Sequence, residues 1–156
     1  MDRHVIGWLF VAAQAILLIA MVAFVGRDDW DTSGWVQAIG YVLVGAGLLV
    51  VAAGALRLGA ALTPTPVPTQ GAELTTSGLY RFVRHPIYTG VLAAVIGVAV
   101  SAGSLPTALI AAATIAFFNV KARWEEARLA ERYPDYPAYA ATTPRFLPRL
   151  RGPARR

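Results

Sequence analysis

Arg84, His85, Pro86, Tyr88 and Gly90 stand together where a polar stretch runs into an apolar one. Arg84 is a permanent cation whose planar fork suits a carboxylate or a phosphate. His85 can donate a hydrogen bond or relay a proton near neutral pH. Tyr80 and Tyr88 bring rings and hydroxyls, and Gly90 lets a ligand or a helix approach the backbone. A second polar cluster, residues 121–139, follows the last apolar stretch and holds Glu125, Glu126, Tyr133, Tyr136 and Tyr139. On a helix Glu125 shares a face with Leu129 and Arg132, and Glu126 points roughly 100° away. One carboxylate can then face a bundle while the other pairs with a base. Each cluster also has an ordinary reading. Arg, His and Tyr serve as anchors at headgroup level. The second cluster reads as an amphipathic helix with solvated charges, Glu125 beside Arg128, and that reading is adopted for Arg128, Glu131 and Arg132. Charge at the edge of hydrocarbon is costly and needs a reason. The two clusters make one site only if the intervening elements return them to the same side of a bilayer.

Those elements are apolar helices. The chain has 156 residues, one domain by length, with 56% hydrophobic and only 15% charged residues. Its mean hydropathy is +0.53. A soluble domain carries charge on about a quarter of its residues, so an all-α integral membrane protein is expected. Residues 5–25 form an apolar run broken only by Gln14, long enough to span, with Trp8 near one end. The run is too long for a signal-peptide core and lacks a small-residue cleavage site, so no cleaved leader is expected. A short acidic loop, residues 26–34, offers Asp31, Thr32 and Ser33 as helix caps. The second run, 35–56, is rich in small residues, among them Gly40, Gly45, Gly47 and Gly54, which suit close helix packing. Residues 63–68 then carry proline at alternate positions, an extended pattern. A linker is expected there, with a lid over a site as the alternative. Pro86 suits the first turn of a third helix, apolar to residue 103. A fourth run starts at Leu105 and Pro106 and ends near Val120, its helix continuing to Arg132 before Tyr133 and Pro134 break it. These last two runs are short for a full crossing at about 1.5 Å per residue, so they extend into the polar clusters.

The expected fold is therefore four transmembrane helices: two spans in 1–58, a functional half in 59–148, and a frayed basic tail in 149–156. Arg3, Arg57, Arg81 and Arg84, with the nine Lys and Arg from Lys121 onward, lie on one side of this topology, and Arg27 alone lies on the other. The positive-inside rule puts both termini and both polar clusters in the cytoplasm. The expected location is a bacterial or archaeal inner membrane. The net charge of +5 is concentrated beside a span, which points to anionic lipid headgroups and not to nucleic acid. With no cysteine and two histidines, disulfides, thiolate catalysis and a Cys- or His-rich metal centre are excluded.

The segment Gly78-Leu79-Tyr80-Arg81-Phe82-Val83-Arg84-His85-Pro86-Ile87-Tyr88-Thr89-Gly90, followed by Glu125-Glu126-Ala127-Arg128-Leu129 and the Tyr133–Tyr139 repeat, resembles the isoprenylcysteine carboxyl methyltransferase family. That family is related to the phospholipid N-methyltransferases and more distantly to sterol reductases. The resemblance covers roughly residues 63–148; the first two spans match only as hydrophobic helices. Tyr133-Pro134 departs from the Phe-Gly common in that family. The resemblance implies S-adenosylmethionine bound at the cytoplasmic side and a lipophilic or lipidated acceptor drawn from the membrane lipids. It implies Arg84 and Glu125 in catalysis, and His85, Pro86, Tyr88, Gly90, Glu125, Glu126, Tyr133 and Tyr136 around the cofactor, with no metal. Arg84 or His85 would hold the cofactor carboxylate. Glu125 or Glu126 would take the ribose hydroxyls or the ammonium. Tyr88, Tyr133 and Tyr136 would line the adenine or face the sulfonium. Of the glutamates, Glu125 is expected inward. A carboxylate acceptor needs no base but favours a cation, for which Arg81, Arg84 and Arg145 are candidates. An amine acceptor must lose a proton, which gives His85 or a glutamate more to do. The arginines favour carboxyl methylation of an isoprenylcysteine-like acceptor, with phospholipid or amine N-methylation as the alternative. An NADPH-linked membrane reductase and a non-enzymatic four-span protein are the competing classes. No Asp or Glu lies within the four apolar runs, which argues against a small transporter. Neither the methyl acceptor nor the oligomeric state is encoded in these motifs.

Overall fold

The computed structural model describes residues 2–27, 29–65 and 73–149. Asp28, the later prolines of the alternating segment and the tail beyond Arg149 lie outside the described residues. Among the described residues there are five α-helices: α1 (Arg3–Phe24), α2 (Gly34–Leu58), α3 (Pro86–Ala102), α4 (Leu105–Arg132) and α5 (Tyr136–Thr142). Short 3-10 turns occupy Gly59–Ala61 and Gly78–Arg81. Three helices among the described residues, α1, α2 and α4, are long and apolar enough to cross a membrane. The expectation of four spans is thus met in part, because α3 has only 17 residues.

The helix ends follow the local chemistry. Asp2 caps α1 by accepting from the His4 amide at 3.1 Å. Pro86 opens α3, and Gly103 closes it in the left-handed region at φ 55°. α4 runs unbroken from its apolar half into its charged half. It stops at Tyr133, which precedes Pro134 and is therefore held extended at φ −115°, ψ 111°.

α2 and α3 pack antiparallel through glycine. A Cβ on Gly47 would lie 2.5 Å from the Gly90 carbonyl oxygen, and one on Gly40 would lie 2.6 Å from that of Gly97. Gly54 meets Ile87 and Pro86 at the other end of the seam. Backbones this close exclude any side chain. Gly90 thus faces α2, the helix approach that its bare backbone is expected to allow. α1 and α4 also run antiparallel. Arg3 pairs with Glu131 at 3.2 Å, Phe10 packs on Trp124 with ring centroids 5.6 Å apart, and Gln14 reaches Lys121. Met21, Val95 and Ala111 form a small core where α1, α3 and α4 meet.

The bundle has two distinct ends. At one, the amides of Asp29 and Trp30 donate to the Gly103 carbonyl. The Asp29 carboxylate there accepts from the Leu105 amide at 2.6 Å, satisfying a free donor at the start of α4. At the other end lie Asp2 and Arg3, the described parts of the 57–86 connection and residues 121–149. The outward faces are apolar: Val22 is 74%, Leu49 72% and Leu56 83% exposed. An apolar belt of this extent suits lipid.

Candidate functional site

The polar end is assembled by the segment that follows α5. The Arg84 amide donates to the Pro144 carbonyl at 2.8 Å and the His85 amide to that of Arg145 at 3.1 Å. The Thr89 hydroxyl donates to the Phe146 carbonyl at 2.8 Å. Residues 144–146 are thereby strapped across the start of α3, and Arg145 is delivered to α4.

There Glu126 is the centre of an ionic knot. It accepts from Arg84 Nε and Nη2 at 3.2 and 3.0 Å. It accepts from Arg145 Nε and Nη2 at 2.8 and 2.6 Å. His85 Nε2 lies 3.1 Å from the same carboxylate. Arg84 Nη1 donates to the Ala140 and Thr143 carbonyls near the end of α5, at 2.6 and 3.0 Å. Every nitrogen of the Arg84 guanidinium is therefore engaged. Hydrogen bonding to Glu126 also holds the Arg145 guanidinium above its ordinary pKa.

Glu125 faces elsewhere. It accepts from the Tyr88 hydroxyl at 2.6 Å and lies 3.8 Å from His85 Nδ1. The His85 and Tyr88 rings stack with centroids 5.1 Å apart. His85, almost fully buried, thus bridges the two carboxylates.

A cavity of about 290 Å³ opens beside this framework, near the lower end of small-molecule pockets. Arg84, His85, Tyr88, Glu125, Tyr133 and Tyr136 line it. Thus six of the expected site residues converge on one space. Pro86 instead packs toward Gly54 on α2, and Glu126 stays behind the wall in its knot. One glutamate is expected to pair with a base; Glu126 pairs with Arg84 and Arg145, and its side chain is only 14% exposed. Arg81 lies over the Phe82 ring, so neither it nor Arg145 supplies the cavity with a cation. Thr63, Pro64 and Thr65, with Glu73, Leu74 and Thr75, also form part of the wall. The described parts of the connection between α2 and α3 therefore border the site, as the lid alternative requires.

Around the rim the tyrosines stay protonated. Burial raises the hydroxyl pKa of Tyr80 and Tyr136, and that of Tyr139 is pushed up to about 12. Tyr139 donates to the Tyr80 carbonyl. The Tyr136 hydroxyl is buried with no hydrogen-bond partner among the described residues, in the wall of the cavity. Such a donor is costly to leave unpaired and is suited to a ligand.

Two further wall residues, Gln14 and Lys121, were not among the expected site residues. The signal was present. Gln14 is the lone interruption of the first apolar run, and Lys121 is the first charge after the last one. Among the described residues no group of three His, Cys, Asp or Glu could hold a metal ion.

The phospholipid methyltransferase family profile matches residues 35–136, from the start of α2 to the start of α5. The match therefore includes the second helix, which the sequence motifs alone had left out. Two relatives align over nearly the whole chain. The nickel-cobalt-cadmium resistance protein NccN of Alcaligenes xylosoxydans xylosoxydans is 32% identical over 153 residues, covering 96% of this chain and 67% of that protein. The cobalt-zinc-cadmium resistance protein CzcN of Cupriavidus metallidurans is 33% identical over 152 residues, covering 96% of this chain and 66% of that protein.

Proposed function

Because this chain belongs to the phospholipid methyltransferase family, we propose that it is a membrane methyltransferase that uses S-adenosylmethionine on a lipophilic acceptor. The observation that carries this reading is the convergence of the two polar clusters on one cavity, with a buried Tyr136 hydroxyl in its wall that has no partner among the described residues. S-adenosylmethionine would supply a methyl group on a good leaving group, so the protein's share is proximity and alignment. Glu125 is the carboxylate that faces the cavity and would take the ribose hydroxyls or the ammonium. Tyr136 would donate a hydrogen bond, and Tyr88 and Tyr133 would present their rings. His85 orients both glutamates. Arg84, whose nitrogens are all engaged, is a positioning residue in this reading: it ties α5 to α4 through Glu126.

Amine methylation is the second reading for the acceptor. The family match favours it, as does His85, which sits between two carboxylates and is placed to receive a proton. Both relatives are named for metal resistance. For this chain we place any such role in modification of an acceptor, since the described residues offer no ligand set for the metal.

Titration calorimetry with S-adenosylhomocysteine tests the proposal. Wild-type protein should bind it, and Glu125→Gln should lose about tenfold or more in affinity with the loss of a charge-assisted hydrogen bond. Binding of NADPH in its place, or of neither compound, would overturn the reading.

The topology belongs to the same proposal. We read α3, which lies along α2 from Gly54 to Gly40, as a fourth crossing, with both termini cytoplasmic. The chain has no native cysteine, so a cysteine placed at position 30 should react only from the outer face. Labelling from the cytoplasmic face would reverse the topology.

A further inference from the structure

We propose that Lys121 is the carboxylate receptor of the cavity, a role that rests on the methyltransferase reading for the identity of its ligand. Lys121 is 3% exposed, yet it lines the cavity one helical turn deeper than Glu125. Burying an ammonium is expensive unless an anion accompanies it. Among the described residues no carboxylate lies within ion-pair distance of Lys121, and Glu125, one turn along α4, acts on it from farther away. The Lys121 nitrogen donates to Gln14 Oε1 at 2.6 Å. It also lies 5.1 and 5.7 Å from the ring centroids of Tyr88 and Phe118. An ammonium has three donors, and Gln14 engages one of them. The rings attract the charge without using the others.

The remaining cations near the cavity are committed. Arg84 is consumed by Glu126 and two carbonyls, and Arg145 by Glu126. The cofactor carboxylate, which the resemblance gives to Arg84 or His85, therefore has no free guanidinium to meet. Lys121 does have donors without a partner among the described residues, and Gln14 holds it in place from α1. Two molecules could bring the carboxylate: the cofactor, through its amino-acid end, or the lipophilic acceptor.

The test uses the full chain in nanodiscs, as wild type and Lys121→Met, which keeps the aliphatic bulk. S-adenosylhomocysteine is compared with 5′-methylthioadenosine, which lacks the amino-acid end, and laurate with dodecanol. A loss of about tenfold or more in S-adenosylhomocysteine affinity, with methylthioadenosine unchanged, supports the receptor and assigns the cofactor as source. Unchanged S-adenosylhomocysteine affinity, with the preference for laurate over dodecanol abolished, supports it and assigns the acceptor. If Lys121→Met binds both carboxylates as wild type does, the proposal is overturned. Should wild type bind no S-adenosylhomocysteine, the methyltransferase reading fails separately, and a Lys121-dependent laurate preference still decides for the receptor. Gln14→Leu, which removes the contact that positions Lys121 and leaves the ammonium in place, should weaken the same ligand in the same direction and guards against misfolding of the first variant.

Discussion

Glu126→Gln should lower the melting temperature of the purified protein by roughly 6–12 °C, from a loss of about 3 kcal/mol. The wild-type carboxylate receives two guanidinium groups and a histidine. Glutamine offers one acceptor oxygen and turns an amide donor toward a cation. Arg84 and Arg145 would then face each other uncompensated. The figure is taken at the low end for a broken buried pair because the partners are 12–26% exposed and partly reached by water. Thermal unfolding in detergent checks it, beside Glu125→Gln. Glu125 accepts only from Tyr88 at hydrogen-bond distance among the described residues, and its variant should melt within a few degrees of wild type while losing ligand affinity. A Glu126→Gln protein that melts like wild type but no longer binds S-adenosylhomocysteine would make Glu126 a ligand contact and reverse the two roles.

Gly47→Leu should be more damaging still. Overpacking among side chains costs about 1–3 kcal/mol, because neighbours can turn aside. The neighbours here are the Gly90 carbonyl oxygen and the Ala94 amide, which a Cβ on Gly47 would meet at 2.5 and 2.7 Å, and backbone cannot turn aside. α2 and α3 must separate, and Pro86 and His85 at the start of α3 move with them. The expected outcome is little or no monodisperse protein on size-exclusion chromatography. Gly45→Leu, two residues away, meets nothing within 4 Å and should behave as wild type. Equal recovery of the two variants would mean that the seam is not the tight contact described.

The helices were legible in the sequence because hydrocarbon length and apolar composition constrain them strongly. The four apolar runs became α1 to α4 with ends shifted by few residues, and Pro86, Gly103 and Pro134 punctuate them as their backbone chemistry requires. The small residues of α2 read as packing for the same reason, since a seven-residue spacing of Gly40, Gly47 and Gly54 keeps one face bare. What composition did not separate was a span from a shorter apolar helix, and α3 falls on that line at 17 residues.

At the site, residue types announced the chemistry and left the partners undecided. A charged pair such as Glu125 and Glu126 diverges by about 100° on its helix, so sequence divides the two roles without saying what each meets. It also selected Glu125 as the inward residue, and Glu125 does line the cavity. The burial of Glu126 depended on Arg145, nineteen positions away, which arrives only because residues 144–146 fold back onto the start of α3. The same return consumed Arg84 and moved the open cation from the motif to Lys121, held by Gln14 from a helix more than a hundred residues earlier. Sequence by itself determined an apolar helical bundle with two polar clusters that belong together. Tertiary structure alone decided which charges neutralise one another and which remain open to a ligand. An ion pair is set by distances of a few ångströms between segments remote in the chain, and no local pattern encodes those distances.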